Sequence, residues 1–239
     1  MNTTQTIFQR INAIPAGVIF GYSDLNLPAV NQLAGAKALS RMVADNRLRR
    51  VGKGRFYKPA TTRLGEMYPG IDEMTKDLVI KDGKYIGYIT GVPAFSQLGL
   101  TTQISSKLII GCKFYRRPII RAGYEISFTR QENEISAQSI PLLRFLDALR
   151  SIKKIPACTP DIAVKTLLKE LVSFSSEVVN ALIGYSKSYP ASTRAILGAM
   201  LEISKFNAED IKENLNPLTK YRIGISSSVL PNKSNWNIV

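Results

Sequence analysis

The sequence contains no histidine among its 239 residues. Without an imidazole, the chain cannot form a Ser-His-Asp or Cys-His catalytic site, a histidine-containing zinc site or an imidazole general base. It contains two cysteines, Cys112 and Cys158, which lack the close spacing of metal ligands. So few cysteines also exclude a disulfide-rich scaffold, because such a framework needs several disulfides.

Long hydrophobic runs are absent as well. The amino-terminal segment MNTTQTIFQRINAIPAG has no apolar core of the length found in a secretory signal peptide, and no window approaches a membrane span. We therefore expect a cytoplasmic protein without a membrane partner. Apolar residues make up 45% of the chain and charged residues 21%, which favours a folded protein over a disordered one.

Acidic residues are scarce, with 18 Asp and Glu against 32 Lys and Arg, for a formal net charge of +14. Residues 1–60 hold nine basic and two acidic residues, so half of the positive excess lies in the first quarter of the chain. A localised excess of this kind favours contact with a nucleic acid over a general effect on solubility.

The most informative pattern is a helix followed by a basic β-hairpin. Residues 35–46 predict the helix, whose apolar stripe consists of Leu39, Met42 and Val43. Two strand-like runs, 48–51 and 55–58, are joined at Gly52-Lys53-Gly54, which is a tight-turn signal. A helix followed by a basic two-stranded ribbon is typical of a winged helix-turn-helix, whose helix fits the major groove of DNA.

The candidate DNA-binding side chains form two sets. Three polar residues of the helix lie away from its apolar stripe: Lys37, Ser40 and Arg41. The candidates in and beside the hairpin are Arg47, Arg49, Arg50, Lys53 and Arg55. We expect the helix to supply the base contacts, with Arg41 able to reach a guanine edge, and the hairpin cations to contact phosphates. The alternative is that all of these are ordinary solvated side chains.

The pattern predicts an α+β protein with two domains. Residues 1–75 are expected to form the winged helix-turn-helix domain with a connector, and residues 76–239 a mixed α+β domain. Three strand-like segments predict an antiparallel meander in the second domain: Lys107–Phe114, Pro118–Arg121 and Glu125–Arg130. Residues 140–204 carry apolar residues at helical spacing, which predicts several core helices. The Ser- and Asn-rich end, 223–239, is expected to form an extended surface segment.

A second basic cluster lies in the predicted meander and contains Lys113, Arg116, Arg117 and Arg121. It could extend a DNA-binding surface or bind an acidic protein partner. A charged strand edge that only prevents unwanted pairing would explain the cluster equally well.

No arrangement of residues is typical of a catalytic site, and we expect a protein with neither enzymatic activity nor a cofactor. The only acidic group that resembles a metal site consists of Asp72, Glu73 and Asp77. It leaves open a second hypothesis, a metal-dependent nuclease that a winged helix delivers to its nucleic-acid substrate. A third hypothesis is an adaptor that holds a partner protein on DNA.

Several segments together resemble one known family. The segment 36–57 resembles the winged-helix core of the AbiEi-like antitoxins. Residues 91–103, GVPAFSQLGLTTQ, look like the small-residue helix of that family and the GLTTQ-type turn that ends it. The basic region Lys107–Arg130 and the segment YPASTRAILGAMLE at 189–202 are also similar, so the resemblance spans most of the chain.

This resemblance implies an antitoxin of an abortive-infection toxin–antitoxin operon, a phage-defence system. In that family the winged helix binds inverted repeats in its own promoter and represses transcription. The carboxyl-terminal domain counters a nucleotidyltransferase-like toxin without forming a stable complex with it. By position, Lys37, Ser40 and Arg41 correspond to the recognition helix of that family, and Arg49, Lys53 and Arg55 correspond to its wing. Lys113, Arg116 and Arg117 correspond to a basic strand region that contributes to repression.

Overall fold

The computed structural model describes residues 3–63 and 65–239 and has the mixed α+β character that the sequence predicts. The chain forms two compact units. The first extends to Leu78 and also contains Ile119–Ile126, whereas the second contains 79–118 and 127–239. The sequence predicts one boundary near residue 75, but the first unit is discontinuous in sequence because a later segment belongs to it.

The first unit begins with two helices and three short strands. In chain order these are α1 (Thr3–Ala13), β1 (Ile19–Gly21), α2 (Gln32–Ala44), β2 (Arg49–Gly52) and β3 (Arg55–Tyr57). Two short 3-10 turns, Ser23–Leu25 and Ala29–Asn31, lie between β1 and α2. The strands form an antiparallel sheet in the order β1-β3-β2. The carboxyl-terminal strand of the hairpin is therefore the central one.

A small apolar core holds these elements together. Its fully buried members come from both helices and from the sheet, and they include Ile7, Ile11, Phe20, Leu39, Met42 and Phe56. Helix α2 packs closely against the segment before it, because a Cβ added at Gly35 would lie 2.6 Å from Cδ1 of Leu27. The helix ends where Asn46 adopts a left-handed φ of 59° and the Arg47 amide donates to the Met42 carbonyl at 2.9 Å.

The connector after the hairpin is ordered as a second small hairpin and a helix. These elements are β4 (Ala60–Thr62), β5 (Gly65–Met67) and α3 (Ile71–Val79). On α3, Met74 is fully buried against Val51 and Tyr57 of the first sheet. The connector is therefore part of the packed structure of the first unit.

The strand region of the second half follows α3. Its elements are β6 (Ile80–Lys81), β7 (Lys84–Tyr85), β8 (Gly87–Thr90), α4 (Val92–Gln97), β9 (Lys107–Cys112), β10 (Ile119–Arg121) and β11 (Tyr124–Arg130). The larger sheet has the order β10-β11-β9-β8. The predicted strand segments are thus present, but β9 is next to β11 rather than next to β10 as a simple meander would require.

The hairpin β10–β11 starts in the first unit, since residues 119–126 belong to it. Ala122 and Tyr124 of this hairpin pack against the small cluster of Val51, Tyr57 and Met74. Burial of this apolar surface explains why a segment from the middle of the chain returns to the amino-terminal unit.

The rest of the second unit is mainly helical. Its helices are α5 (Ser139–Arg150), α6 (Pro160–Val172), α7 (Ser176–Ser186), α8 (Ala191–Ile203) and α9 (Glu209–Glu213). They enclose the largest core of the protein, in which Leu143, Leu167 and Leu197 are fully buried. Within the described ranges, no helix combines the length and the apolar character needed to cross a bilayer.

The expectation of an extended surface segment at 223–239 is wrong. Ile225, Leu230 and Ile238 are buried in the main core, and Trp236 packs against α8. A Cβ added at Gly198 would lie 2.0 Å from the Trp236 ring, so α8 can accept the indole only at a glycine. The indole nitrogen also donates to Glu202 at 2.5 Å. The burial of six apolar side chains outweighs the polar composition of the segment: Ile223, Ile225, Val229, Leu230, Trp236 and Ile238.

A buried carboxylate organises the polar part of this core. Asp147 on α5 is 1% exposed and accepts hydrogen bonds from Tyr88 (2.7 Å), Thr90 (2.8 Å) and Tyr189 (3.0 Å). Arg150 forms an ion pair with it at 2.8 Å. Burial, and then the neighbouring charge of Asp147, raise the pKa of both tyrosines, which therefore remain protonated donors.

Removal of this carboxylate should destabilise the second unit strongly. We expect Asp147→Ala to lower the free energy of unfolding by about 3 kcal/mol, because three hydroxyl donors and a guanidinium lose their acceptor. Urea denaturation followed by circular dichroism measures the loss. Glu213→Ala, which removes an exposed carboxylate from α9, should change the value by less than about 0.5 kcal/mol. Equal losses in both variants would contradict this role of Asp147.

Candidate nucleic-acid interface

Helix α2 presents one buried face and one exposed face. The buried residues are Gly35, Ala38, Leu39 and Met42, which follow the helical period. Lys37, Ser40 and Arg41 are all exposed and lie on the opposite side of the helix. The structure thus brings together the three helical residues that the sequence predicts as DNA contacts.

The 3-10 turn before α2 and the first turn of α2 each carry an exposed apolar residue that sequence reasoning missed. The side chain of Val30 is 86% exposed and that of Leu33 is 79% exposed. Leu33 lies one turn before Lys37 on the same face, and Gln32 is exposed beside it. The spacing of Leu33 could have predicted its exposure, because Leu33 stands four residues before Lys37 and outside the apolar stripe of Leu39 and Met42.

The tip of the β2–β3 hairpin is formed by Lys53, which is exposed. The register of the two strands shifts between Arg50 and Gly52, so the hairpin contains an irregularity of the bulge type. Leu48 and Val51 are both buried although they are three residues apart, because they belong to different clusters: Leu48 packs with Ile7 and Phe56, and Val51 with Tyr57 and Met74. Arg50 remains exposed, and its Nε donates to the Gly52 carbonyl at 3.1 Å.

Two hairpin arginines are held by carboxylates. Arg49 forms an ion pair with Glu66 at 2.9 Å and also donates to the side chain of Asn46 at 2.8 Å. Arg55 lies 3.2 Å from Asp77. Both guanidinium groups are therefore already bound to anionic partners of the protein, which leaves them less available to phosphate.

Other cations of this surface have no acidic partner within the part of the chain that the structure describes. Among residues 3–63 and 65–239, no carboxylate lies within ion-pair distance of Lys37, Arg41 or Lys53. Arg47 is exposed and lies over the ring of Phe8, 5.2 Å from its centroid. The positive field of the surface thus comes mainly from the exposed helix face and the hairpin tip.

Asp77 on α3 binds two arginines at once. Arg121 of β10 donates to both of its oxygens, at 2.6 and 3.0 Å, and to the Met74 carbonyl at 2.8 Å. Burial alone would raise the pKa of Asp77, but the hydrogen bonds and charge of Arg121, together with the charge of Arg55, hold it below its ordinary value. Arg121 is 8% exposed, so this member of the second basic cluster has a structural role.

The remaining members of the second basic cluster lie in the second unit. Lys113 and Arg117 are exposed in the loop after β9, and Arg116 is partly buried with its guanidinium 5.7 Å from the centroid of the Phe128 ring. The helix and hairpin candidates belong to the first unit, so the predicted residues fall into two separate groups.

The acidic group of α3 also has structural partners. Glu73 accepts a hydrogen bond from the Ile19 amide at 3.0 Å, and Asp77 binds the two arginines. In the part of the chain that the structure describes, no group of three or more His, Cys, Asp or Glu side chains could hold a metal ion.

A model of a protein family matches residues 6–154, which is more than half of the chain. The chain belongs to the DUF6088 family. The description of DUF6088 is a family of unknown function. The DUF6088 match includes the described residues of both α2 and the β2–β3 hairpin, and it extends through the strand region to the end of α5.

No curated protein matches this DUF6088 chain. A solved structure that resembles it is the crystal structure of the RV2827C protein from Mycobacterium tuberculosis, at 13% sequence identity and a TM-score of 0.49. The similarity covers 92% of this chain and 83% of the other. At that TM-score the likeness carries no argument about fold or function.

The Asp77 interaction gives a prediction about stability. Asp77→Ala should lower the free energy of unfolding by about 2–3 kcal/mol, because it leaves the nearly buried guanidinium of Arg121 without its carboxylate. The stabilisation should be complete above the ordinary carboxyl pKa of 3.8 and be lost as the pH falls through the lowered pKa of Asp77. Chemical denaturation at several pH values measures both effects.

The matched control for this prediction is Asp72→Ala, on the first turn of the same helix and exposed. It should cost less than about 1 kcal/mol, the usual size of a helix-terminus charge effect. If the two variants lose the same stability, or if Asp77→Ala keeps the full acid dependence of the wild-type protein, the pairing does not stabilise the first unit.

Proposed function

We propose that the first unit is a winged helix-turn-helix that binds double-stranded DNA, with α2 in the major groove and the β2–β3 hairpin as the wing. The order α1-β1-α2-β2-β3 and the sheet order β1-β3-β2 support this proposal. The two 3-10 turns before α2 take the place of the middle helix of such a domain. The observation that carries the proposal is the exposed, unpaired cationic face of α2.

The exposed face of α2 suits base recognition. A guanidinium can donate two hydrogen bonds to guanine, and each such contact is worth about 1–3 kcal/mol of discrimination. Arg41 is our candidate for this contact, with Lys37 and Ser40 beside it. Leu33 and Val30 could contact thymine methyl groups, which gives these exposed apolar side chains a role.

The wing would position the protein on the phosphate backbone. Lys53 at the hairpin tip is the best-placed phosphate ligand, and Arg47 and Arg50 are further candidates. Arg49 and Arg55 instead fix the shape of the wing through Glu66 and Asp77.

We further propose that DNA binding represses the operon from which the protein is made and that the protein counters a nucleotidyltransferase-like toxin. This part is supported by the resemblance to the AbiEi-like antitoxins. Inverted repeats would match a symmetric arrangement of two protein copies on the operator. No observation on the described residues favours the alternative of a metal-dependent nuclease.

A gel shift across a salt series tests DNA binding. The purified protein should bind a duplex from its own upstream region more tightly than a scrambled duplex, with an affinity that falls steeply as salt increases. Arg41→Ala should remove about 1–3 kcal/mol of the preference for the upstream duplex. Lys53→Ala should weaken binding to both duplexes and reduce the slope of log affinity against log salt by about 1.

Lys169→Ala is the control, because it removes an exposed lysine from α6 of the second unit. It should change neither the affinity nor the slope. Equal binding of the wild-type protein to the two duplexes, or no effect of the Arg41 and Lys53 substitutions, would refute the proposed interface.

Coexpression tests the antitoxin role. With both genes under unrelated promoters, the protein should restore growth to cells that produce the nucleotidyltransferase-like toxin of its operon. Arg41→Ala should restore growth equally well, because toxin antagonism is assigned to the carboxyl-terminal part. Continued growth arrest with wild-type protein at normal abundance would reject the antitoxin proposal and leave the DNA-binding proposal intact.

A further inference from the structure

The second unit contains a cavity of about 720 Å³ with a strongly positive lining. Four basic side chains face it, from the β6–β7 hairpin and from the loop after β9: Lys81, Lys84, Lys113 and Arg116. Among the described residues that line it, Glu134 alone carries a carboxylate. All of these residues belong to the second unit, and none of them is in α2 or in the β2–β3 hairpin.

Two of the lysines lie opposite each other in a hairpin. Lys81 and Lys84 are cross-strand partners in the β6–β7 hairpin, and like charges in this position repel each other. The turn between them has positive φ at Asp82 (49°) and Gly83 (74°), which is the conformation of a tight two-residue hairpin turn. The hairpin therefore places the two lysines on the same face of the ribbon, and an anion bound between them would relieve the repulsion.

In the described ranges, Lys81, Lys84, Lys113 and Arg116 form no ion pair with a carboxylate. Residues 136–138, which precede α5, also line the cavity. The first turn of α5 contains no acidic residue, so the partial positive charge of that helix end adds to the field of the side chains.

Aromatic side chains lie beside these cations. Tyr85 and Phe114 line the cavity, and their side chains are 39% and 78% exposed. Phe114 contributes little to the core at this exposure, but its ring can stack on a nucleobase. The combination of clustered cations and accessible rings fits a ligand with both phosphate groups and an aromatic base.

We propose that this cavity binds a nucleoside triphosphate. The phosphates would bind Lys81, Lys84, Lys113 and Arg116, and the base would stack on Phe114 or Tyr85. The volume lies within the usual range of about 300–1,000 Å³ for small-molecule sites, whereas a duplex needs an open surface. Lys113 and Arg116 then serve a small anionic ligand instead of extending the DNA-binding surface.

Fluorescence anisotropy of a mant-labelled ATP with the full-length protein tests this site. We expect saturable binding that unlabelled ATP reverses, inorganic triphosphate reverses less effectively and adenosine reverses least. Lys84→Glu and Lys113→Glu should each weaken binding by at least about tenfold, because each replaces a charge-assisted contact with a repulsion. Phe114→Ala should weaken the binding of ATP several-fold and leave that of inorganic triphosphate unchanged.

Lys169→Glu makes the same charge change at an exposed lysine outside the cavity and should retain full affinity. Arg41→Ala should also retain nucleotide binding, and Lys84→Glu should retain binding to the upstream duplex. The proposal fails if ATP does not displace the probe, or if Lys169→Glu and Lys84→Glu weaken binding equally. It also fails if a short duplex displaces the probe from wild type and Arg41→Ala alike, since the cavity would then belong to a DNA surface.

Discussion

The carboxylate of Asp77 joins parts of the first unit that lie far apart in the sequence. It binds Arg121 of β10 through two hydrogen bonds and Arg55 of β3 through an ion pair, while its own backbone belongs to α3. Two buried or half-buried guanidinium groups around one carboxylate need this anion, because an unpaired charge in such a place is costly. The arrangement of the helix α3, the hairpin β10–β11 and the central strand of the first sheet depends on it.

This interaction also decides which cations remain for a ligand. Asp77 and Glu66 bind Arg55 and Arg49, so the density of basic residues in the sequence overstates the free positive charge of the hairpin. The unpaired charge lies on the exposed face of α2 and at the hairpin tip. The cavity of the second unit is a different kind of cationic site, because it is concave and includes aromatic rings. A convex helix face suits the groove of a duplex, and a concave site suits a small molecule.

Local patterns predicted much of the first unit. The apolar period of α2 and the Gly52-Lys53-Gly54 turn are encoded by neighbouring residues, so the helix face and the hairpin could be predicted from the sequence. The partners of Arg49 and Arg55 could not, because Glu66 and Asp77 are brought to them by the fold. The buried end at 223–239 was misjudged for a related reason: its apolar residues fit a site on α8 that only the tertiary structure creates, at Gly198. The burial of Asp147 was easier to predict. It stands four residues after Leu143, on the apolar face of its helix, and an acid in such a position indicates a buried hydrogen-bond network.

The discontinuity of the first unit has a consequence for biosynthesis. The ribosome adds 48 residues between Leu78, where the first part of the unit ends, and Ile126, where its second part ends. At ordinary translation rates, this takes roughly 2 to 10 seconds. During this interval Asp77 lacks its closest cationic partner, and the surface of Val51, Tyr57 and Met74 lacks part of its cover. The nascent amino-terminal unit is therefore incomplete until more than half of the polypeptide has been synthesised.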